Sequence, residues 1–374
     1  MAKQIIMAKL FEFGGSNSHL KTLFQYFGKE NVVLILEEKS QLQYVKNIDS
    51  GQTLKVIVKS GLHKYAHLIY PSKFSNIKEL IRVIGAVLSI WCLQLKYGFA
   101  DVTICAVEPE KYLYLFWLPF GKVTYILHTA PQKKHTPFTS FTCNSRIGKR
   151  KQIITVSNSN KELICQNWDI APEKRPFIYV VYNCIIESES NVPAAVKTGE
   201  QYIITLGHVI DYKNPSLWLE VAKMVTSVRD DVHFLWLGEG PLLTDFAAAT
   251  RGAERITFQG PVTDPHNYLR LAIIYYQPSL FETHGIAVVE AMYNCLPCVV
   301  SATGGLPESV QQQYNGLVVD PANKKEHAAA LLSLIDHPEL RRQYGINAYK
   351  KYQELFSFKA FKSKMDAVYF NNAC

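Results

Sequence analysis

The chain has 374 residues, 48% of them hydrophobic, and is therefore long enough for two domains that each bury a core. Glycine and proline are near their average frequencies, and no low-complexity segment or fixed-period repeat occurs, which excludes disordered, collagenous and solenoid classes. The net charge of +8 is uneven: residues 1–190 hold 24 Lys and Arg against 14 Asp and Glu, and the remainder holds 16 against 18.

The chain opens with a predicted strand, loop and helix. Ile5–Phe11 is the first predicted strand, and Gly14-Gly15 is a predicted tight turn that brings backbone close to a phosphate. Ser16 to Ser18 are predicted capping residues before a helix over His19–Tyr26. A plain turn without a ligand is the alternative for the two glycines.

Strands and helices continue to alternate through residue 190. Further strands are predicted at Val32–Leu36, Lys55–Val58, Val102–Ala106, Thr124–His128 and Gln152–Val156, and helices at Ile77–Tyr97 and Asn158–Gln166. Alternation of this kind implies a parallel sheet. His128 ends a predicted strand, at the sheet edge where sites form, although a strand-end histidine is often structural.

A polar, proline-containing segment, Ser188–Glu200, is the predicted linker to a second half that begins with the strand Tyr202–Leu206. Alternation continues to Val319, and helices are predicted at Glu326–Ile335 and Pro338–Leu355. The predicted division is therefore an amino-terminal domain over 1–190, a second domain over 191–355, and a final helical segment over 356–374.

Two glutamates stand eight positions apart around a predicted strand-loop-helix turn. Ile273–Ser279 is apolar and β-rich, Ile286–Tyr293 has helical spacing, and Gly285 lies between them. Eight helical residues rise about 12 Å, so Glu282 and Glu290 could hold different parts of one elongated ligand. The alternative is an ordinary loop acid and a solvated helix residue.

Residues 201–320 carry an ordered series of short motifs around this pair. The series is Leu206-Gly207-His208, Lys213-Asn214-Pro215, Trp236-Leu237-Gly238-Glu239-Gly240-Pro241, Phe258-Gln259-Gly260, Glu282 to Glu290, Cys295-Leu296-Pro297, Thr303-Gly304-Gly305-Leu306-Pro307-Glu308 and Asn315-Gly316-Leu317. The series resembles the donor-binding region of retaining glycosyltransferases of family 4. The resemblance implies the GT-B fold, an α/β architecture in which two Rossmann-like parallel-sheet domains face each other across a cleft. It also implies that the C-terminal helix within 356–374, with Phe358–Tyr369 as its counterpart, crosses back to the first domain.

The resemblance also implies roles for particular residues. Glu290 would hold the ribose hydroxyls of a nucleotide-diphosphate sugar, and Glu282 would contact the transferred sugar. Lys213 would stabilise the diphosphate as it leaves. The implied backbone contacts come from Gly14 and Gly15 in the first domain and from Gly285, Ile286 and Ala287 in the second. His128 would contact a sugar hydroxyl or a backbone carbonyl.

Two histidines depart from the family pattern. His208 stands where an arginine normally binds the diphosphate, and a histidine is mostly neutral near pH 7 unless an anion raises its pKa. It could instead cap the strand end. His284 replaces a more common aromatic residue and could either shape sugar preference or fill space.

The sequence contains no Asp-x-Asp triplet, so we expect no metal and no cofactor, with positive side chains and helix dipoles acting on the diphosphate. No carboxylate is identified as a covalent nucleophile, and the resemblance implies retention through same-face attack. The expected enzyme is a glycosyltransferase acting on a glycan or lipid-linked saccharide in envelope polysaccharide assembly. A non-catalytic nucleotide-sugar-binding subunit and an epimerase of the same architecture are the alternatives. A nicotinamide dehydrogenase is disfavoured because Gly-x-Gly-x-x-Gly is absent.

The amino terminus lacks the uninterrupted apolar core of a secretion signal, and the scattered cysteines, including Cys295 and Cys298, fit reduced thiols in a cytosolic protein. Two basic runs, Lys133-Lys134-His135 and Arg146 to Lys151, could be solvated loops or could face an anionic membrane. No aromatic interleaving accompanies them, so nucleic acid is not an expected partner. We therefore expect a cytoplasmic protein, peripheral at the inner face of the membrane.

Overall fold

The computed structural model describes residues 3–10, 15–49, 51, 53–59, 77–106, 108–131, 137–186 and 201–370. Gly14, the run Lys133-Lys134-His135 and the predicted linker Ser188–Glu200 lie outside these residues. The chain divides into two compact units. Unit 1 comprises Met1–Asn183 and Phe361–Cys374, and unit 2 comprises Cys184–Ala360.

Unit 1 contains a parallel seven-stranded sheet in the order β3-β2-β1-β4-β5-β6-β7. The strands are β1 (Gln4–Ala8), β2 (Val32–Leu36), β3 (Lys55–Val58), β4 (Asp101–Ala106), β5 (Val123–Leu127), β6 (Lys151–Thr155) and β7 (Ile178–Val180). Every residue of β1, β2, β5 and β6 is buried. Uninterrupted burial is typical of parallel strands that are covered on both faces, and it explains the continuous apolar runs.

Unit 1 contains the helices α1 (Gly15–Phe27), α2 (Val45–Ile48), α3 (Ile77–Lys96), α4 (Pro137–Arg146) and α5 (Asn158–Asn167). The last helix of the chain also packs on unit 1 through its residues from Phe361 onward. Tyr26 of α1 donates a hydrogen bond to Asp366 Oδ1 at 3.0 Å, and the Tyr369 hydroxyl lies 2.9 Å from Thr103 Oγ1. These bonds join residues far apart in sequence, so the carboxyl-terminal segment completes the unit.

Unit 2 contains a parallel six-stranded sheet in the order β10-β9-β8-β11-β12-β13. The strands are β8 (Gln201–Leu206), β9 (Val232–Leu237), β10 (Ile256–Gly260), β11 (Ala272–Gln277), β12 (Cys298–Ser301) and β13 (Gly316–Val319). The helices are α6 (Pro215–Thr226), α7 (Leu243–Ala249), α8 (Pro265–Leu271), α9 (Ile286–Tyr293), α10 (Leu306–Ser309), α11 (Lys324–Asp336), α12 (Pro338–Lys351) and α13 (Phe358–Tyr369), the last of which ends in unit 1.

Several sequence predictions differ from the structure, including the start of α1, the omission of β7 and the end of α12. Helix α1 begins at Gly15 rather than His19, because Leu20, Leu23 and Phe24 pack in the core and this packing outweighs the weak helix propensity of the preceding serines and asparagine. Strand β7 was not predicted, since three residues are too few for a periodicity signal. The helix predicted over Pro338–Leu355 ends at Lys351 and continues as a π-helix over Tyr352–Phe356.

The cysteines within the described ranges form no disulfide bond with one another, and Cys295 is exposed whereas Cys298 is buried. None of the helices described is both long enough and apolar enough to cross a membrane. Among the residues that the structure describes, no group of three or more His, Cys, Asp or Glu side chains is arranged to hold a metal ion.

Candidate functional site

The candidate site lies where the strand order of unit 2 reverses. Strands β8 and β11 are neighbours, and the chain proceeds from them towards opposite edges of the sheet. The crevice at such a switch point, beyond the carboxyl ends of the strands, is where ligands bind in open parallel sheets. Lys213 follows β8 and Glu282 follows β11, so both belong to loops at this crevice.

Lys213 Nζ and the Glu282 carboxylate form an ion pair, and each side chain is 13% exposed. Asn214, in the left-handed conformation at φ 58°, ends the short turn of Lys213 and caps α6 by accepting a hydrogen bond from Leu217 N. The loops after two neighbouring strands are therefore connected by opposite charges. The accessible part of this pair can meet a ligand with both anionic and hydroxyl groups.

A hydrogen-bonded chain behind the ion pair orients the Glu282 carboxylate. Gln277 donates from Nε2 to Glu282 Oε2 at 2.9 Å, and the Tyr275 hydroxyl donates to Gln277 Oε1 at 2.8 Å. Neither residue was predicted from the sequence, because both belong to a strand with an apolar, buried pattern. The available signal was Gln277 itself, an amide at the carboxyl end of a strand whose residues are otherwise aliphatic or aromatic.

Two glycines hold the Glu282 loop from the other side. Gly304 has φ +52°, and a Cβ at this position would lie 1.8 Å from the carbonyl oxygen of Glu282, so a side chain cannot be accommodated. The same carbonyl accepts a hydrogen bond from Gly305 N at 2.9 Å, and Thr303 Oγ1 donates to Leu280 O at 2.9 Å. The Thr-Gly-Gly motif thus fixes the position of the Glu282 backbone.

Helix α9 begins beside Glu282. Its N-cap, Gly285, has φ +87° and makes no side-chain capping bond, and a Cβ there would lie 2.9 Å from Leu306 Cδ2. The first N–H groups of a helix have no intrahelical acceptor and carry partial positive charge. The predicted backbone contacts Gly285, Ile286 and Ala287 therefore form an anion-attracting helix start within the same loop as Glu282.

Glu290 is half-buried on α9, and burial raises the pKa of its carboxyl to about 7. The Tyr275 phenol also has a raised pKa, first from burial and further from the negative charges of Glu290 and Glu282 among its neighbours. Both carboxyl groups therefore act on one phenol. Glu290 is not the solvated helix residue of the alternative interpretation.

The His208 side chain is 43% exposed, and its Nδ1 lies 3.9 Å from Glu239 Oε1. Close backbone packing supports the loop that contains His208: Trp236 Nε1 donates to Gly207 O at 2.8 Å, and a Cβ on Gly238 would lie 2.1 Å from the same oxygen. The imidazole is thus accessible to a ligand. At 3.9 Å the two atoms are too far apart for a hydrogen bond.

His284 is buried, and its ring packs against Phe356 with 5.4 Å between centroids and 60° between planes. Phe356 belongs to the π-helix that sequence analysis did not predict. This position agrees with the space-filling alternative for His284, and the predicted contact with the donor would require the ring to leave the core.

In unit 1, His128 follows β5, and burial lowers its pKa to about 4. The His19 ring of α1 lies edge-on to it with 4.2 Å between centroids, and burial together with His128 lowers the pKa of His19. Both rings are therefore neutral at pH 7. His19 was not predicted as a site residue, because it was interpreted only as the first residue of a helix. Gly15 was predicted to be in a turn, but it is the first residue of α1.

The basic run Arg146 to Lys151 is less solvated than predicted. Lys151 is buried and donates to Gly121 O at 3.1 Å, and its pKa is lowered to about 8, first by burial and then by Arg146. Arg146 donates from Nε to Phe116 O at 3.2 Å and lies 5.0 Å from the Trp117 ring centroid. Two members of this run thus have structural partners in unit 1, because long basic side chains pack their stems and donate to carbonyls.

The two parallel-sheet units are Rossmann-like and match solved structures of GT-B glycosyltransferases, which confirms the predicted fold. The chain is similar to a glycosyltransferase from Rickettsia africae with a TM-score of 0.77, 15% sequence identity, and coverage of 99% of this chain and 98% of that chain. At this identity the likeness shows the fold alone.

Residues 187–351 match the family model described as Glycosyl transferases group 1, so this part of the chain is a glycosyltransferase domain, as predicted. Among curated relatives, alpha-D-kanosaminyltransferase of Streptomyces kanamyceticus is 26% identical over 172 residues, 45% of each chain. An Escherichia coli enzyme named UDP-Gal:alpha-D-GlcNAc-diphosphoundecaprenol alpha-1,3-galactosyltransferase is 25% identical over 202 residues, 50% of this chain and 51% of that protein. The chain thus spans about half the length of the curated relatives it matches.

Proposed function

We propose that the chain is a retaining, metal-independent glycosyltransferase that moves a sugar from a nucleotide-diphosphate sugar to a glycan or glycolipid acceptor in cell-envelope polysaccharide assembly. One observation carries the proposal. A lysine, an oriented carboxylate and an open helix start occupy the switch-point crevice of a domain that matches the group 1 glycosyl transferases.

Each group suits one part of a nucleotide sugar. The Lys213 ammonium and the first N–H groups of α9 suit the diphosphate, because both present positive charge to an anion. Glu282, whose carboxylate is already oriented by Gln277, suits hydroxyl groups of the transferred sugar. Glu290, farther along the helix, suits the ribose hydroxyls, since a carboxylate accepts two hydrogen bonds from a diol.

The ion pair between Lys213 and Glu282 also suits the chemical step. As the bond between the anomeric carbon and the diphosphate oxygen breaks, negative charge grows on the leaving group, and Lys213 can transfer its interaction from Glu282 to that oxygen. The acceptor hydroxyl attacks from the same face and passes its proton to the leaving phosphate oxygen, so the anomeric configuration is retained.

The remaining assignments follow from the family resemblance. His128, neutral at pH 7, is proposed to contact a sugar hydroxyl, and the glycine loop at Gly14 and Gly15 to approach the diphosphate. His208 is exposed and is proposed to contact the diphosphate in place of an arginine. The name of the Escherichia coli relative, a transferase to a polyprenol-linked sugar, supports a lipid-linked acceptor and a position at the cytoplasmic face of the membrane.

The test is a donor screen followed by product analysis. The purified chain is incubated with nucleotide sugars of different bases and with polyprenyl-diphosphate-linked saccharides, and products are identified by mass spectrometry. Transfer supports the proposal. Donor binding without transfer or hydrolysis would favour a binding subunit, and donor conversion without any acceptor would favour an epimerase.

A further inference from the structure

Helix α3 of unit 1 presents a solvent-exposed row of apolar residues. Ile81 is 61% exposed, and Ile84, Leu88, Cys92 and Leu95 are also exposed. Their spacing of three or four residues places them on one face of the helix, along about 21 Å. Arg82 is the single charged residue between 81 and 95. This surface, the exposed α3 face, is therefore long and apolar.

The opposite side of α3 packs against the hydrophobic core of unit 1. Ala86 and Ile90 are buried in the core of unit 1, and Val83 and Val87 pack against that core. The exposed α3 face therefore cannot turn inward without emptying the core. A helix that is apolar on both sides normally has a second partner, because an extended exposed apolar patch marks an interaction surface.

Aromatic rings extend the exposed α3 face at its carboxyl end. Phe99 is 59% exposed, and its ring lies 6.3 Å from that of Phe120, which is also exposed. The half-buried Trp91 ring stacks on Phe120 at 6.4 Å. Aromatic side chains at the boundary of an apolar surface are typical of proteins that enter the interfacial region of a bilayer.

Lysines lie around the same surface. Lys55 Nζ is 4.9 Å and Lys96 Nζ 5.9 Å from the Tyr97 ring centroid, and Lys59 donates to Ser89 O at 3.2 Å. The positive charge of these lysines favours an anionic partner, and it disfavours a second copy of the chain, which would bring like charges together.

We propose that the exposed α3 face, with Phe99 and Phe120, docks the chain on an anionic lipid bilayer, the helix lying along the interface. Apolar side chains enter the acyl boundary while the surrounding lysines meet lipid phosphates. The inference deepens the proposed function, on which it depends for a lipid-linked acceptor. Docking keeps unit 1 at the surface that holds such an acceptor.

The first experiment measures binding of the full chain to vesicles by co-sedimentation. Vesicles of phosphatidylcholine with phosphatidylglycerol should bind the chain, and pure phosphatidylcholine vesicles should bind it at least tenfold more weakly. The double variant Ile84→Gln/Leu88→Gln should lower the partition coefficient about tenfold or more, because two apolar side chains no longer enter the boundary. Ile346→Gln, which changes an exposed isoleucine of unit 2, is the matched control and should bind as wild type.

Cys92 and Cys295 provide a second, site-specific readout, since both thiols are exposed and only Cys92 lies on the proposed surface. An environment-sensitive fluorophore on Cys92, in a Cys295→Ser/Cys374→Ser variant, should shift to the blue with anionic vesicles. The same fluorophore on Cys295, in a Cys92→Ser/Cys374→Ser variant, should not shift. Equal responses at the two positions would contradict the proposal.

Other outcomes separate this inference from the proposed function. Unchanged vesicle binding by the double variant overturns the docking surface. The same conclusion follows if the wild type is a dimer that the double variant dissociates while vesicle binding stays intact. Normal transfer to a water-soluble acceptor together with absent vesicle binding overturns docking alone. Vesicle binding without transfer to any acceptor overturns the catalytic proposal alone.

Discussion

Replacing Glu290 by glutamine should stabilise the protein above neutral pH while weakening donor binding. The substitution keeps the shape of the side chain and removes its titration. Burial raises the pKa of the Glu290 carboxyl from 4.5 to about 7. The folded state therefore binds this proton more tightly than the unfolded state, and wild-type stability falls as pH rises between these two values.

The size of the effect follows from the shift in pKa. A difference of about 2.5 units at about 1.4 kcal/mol per unit corresponds to about 3 kcal/mol at pH 8, where the folded carboxyl is ionised. Below pH 4.5 both states are protonated and the penalty disappears. Glu290→Gln should therefore raise the free energy of unfolding by up to about 3 kcal/mol at pH 8 and have little effect near pH 4.5.

The assay is urea unfolding of wild type and variant across this pH range, with Glu254→Gln, at an exposed carboxylate, as control. Isothermal titration calorimetry then measures the affinity of both proteins for a nucleotide sugar that binds the wild type. In the proposed donor site, an ionised Glu290 accepts hydrogen bonds from the ribose hydroxyls. Wild-type affinity should therefore rise from pH 6 to 8, and the variant should bind about 10- to 100-fold more weakly. A stability difference independent of pH would refute the burial argument, and unchanged affinity would remove Glu290 from the donor site.

The remaining predictions concern the other groups of the site. Lys213→Ala should lower kcat by about 100-fold or more and change donor affinity much less. The control Lys223→Ala, on the exposed side of α6, should have wild-type kinetics. A loss of donor affinity without a loss of kcat in Lys213→Ala would contradict the leaving-group role. Gly304→Ala should cost at least about 2 kcal/mol of stability, because the new Cβ would clash with the Glu282 carbonyl oxygen. Gly85→Ala should stabilise α3 by up to about 1 kcal/mol, because a Cβ there would have no atom within 4 Å. Calorimetry measures both changes. NMR of the product from an α-linked donor should show an axial linkage, and an equatorial linkage would exclude retention.

Much of the fold followed from local sequence. Strands β2 and β3 and helix α9 have the predicted bounds, since apolar runs and helical spacing are properties of neighbouring residues. The ordered glycine motifs also indicated the domain type, because a glycine required at one backbone conformation leaves a mark in the sequence itself. Gly304, against the Glu282 carbonyl, is an example.

The sequence by itself therefore determined the alternation of elements, the parallel sheets and the residue types available to the site. Only the tertiary structure decided that Lys213 pairs with Glu282, that Gln277 orients that carboxylate, that His284 packs on Phe356, and that α3 leaves one apolar face exposed. The reason is physical. Pairing, burial and the resulting pKa shifts depend on distances between residues tens of positions apart, and no local pattern specifies those distances.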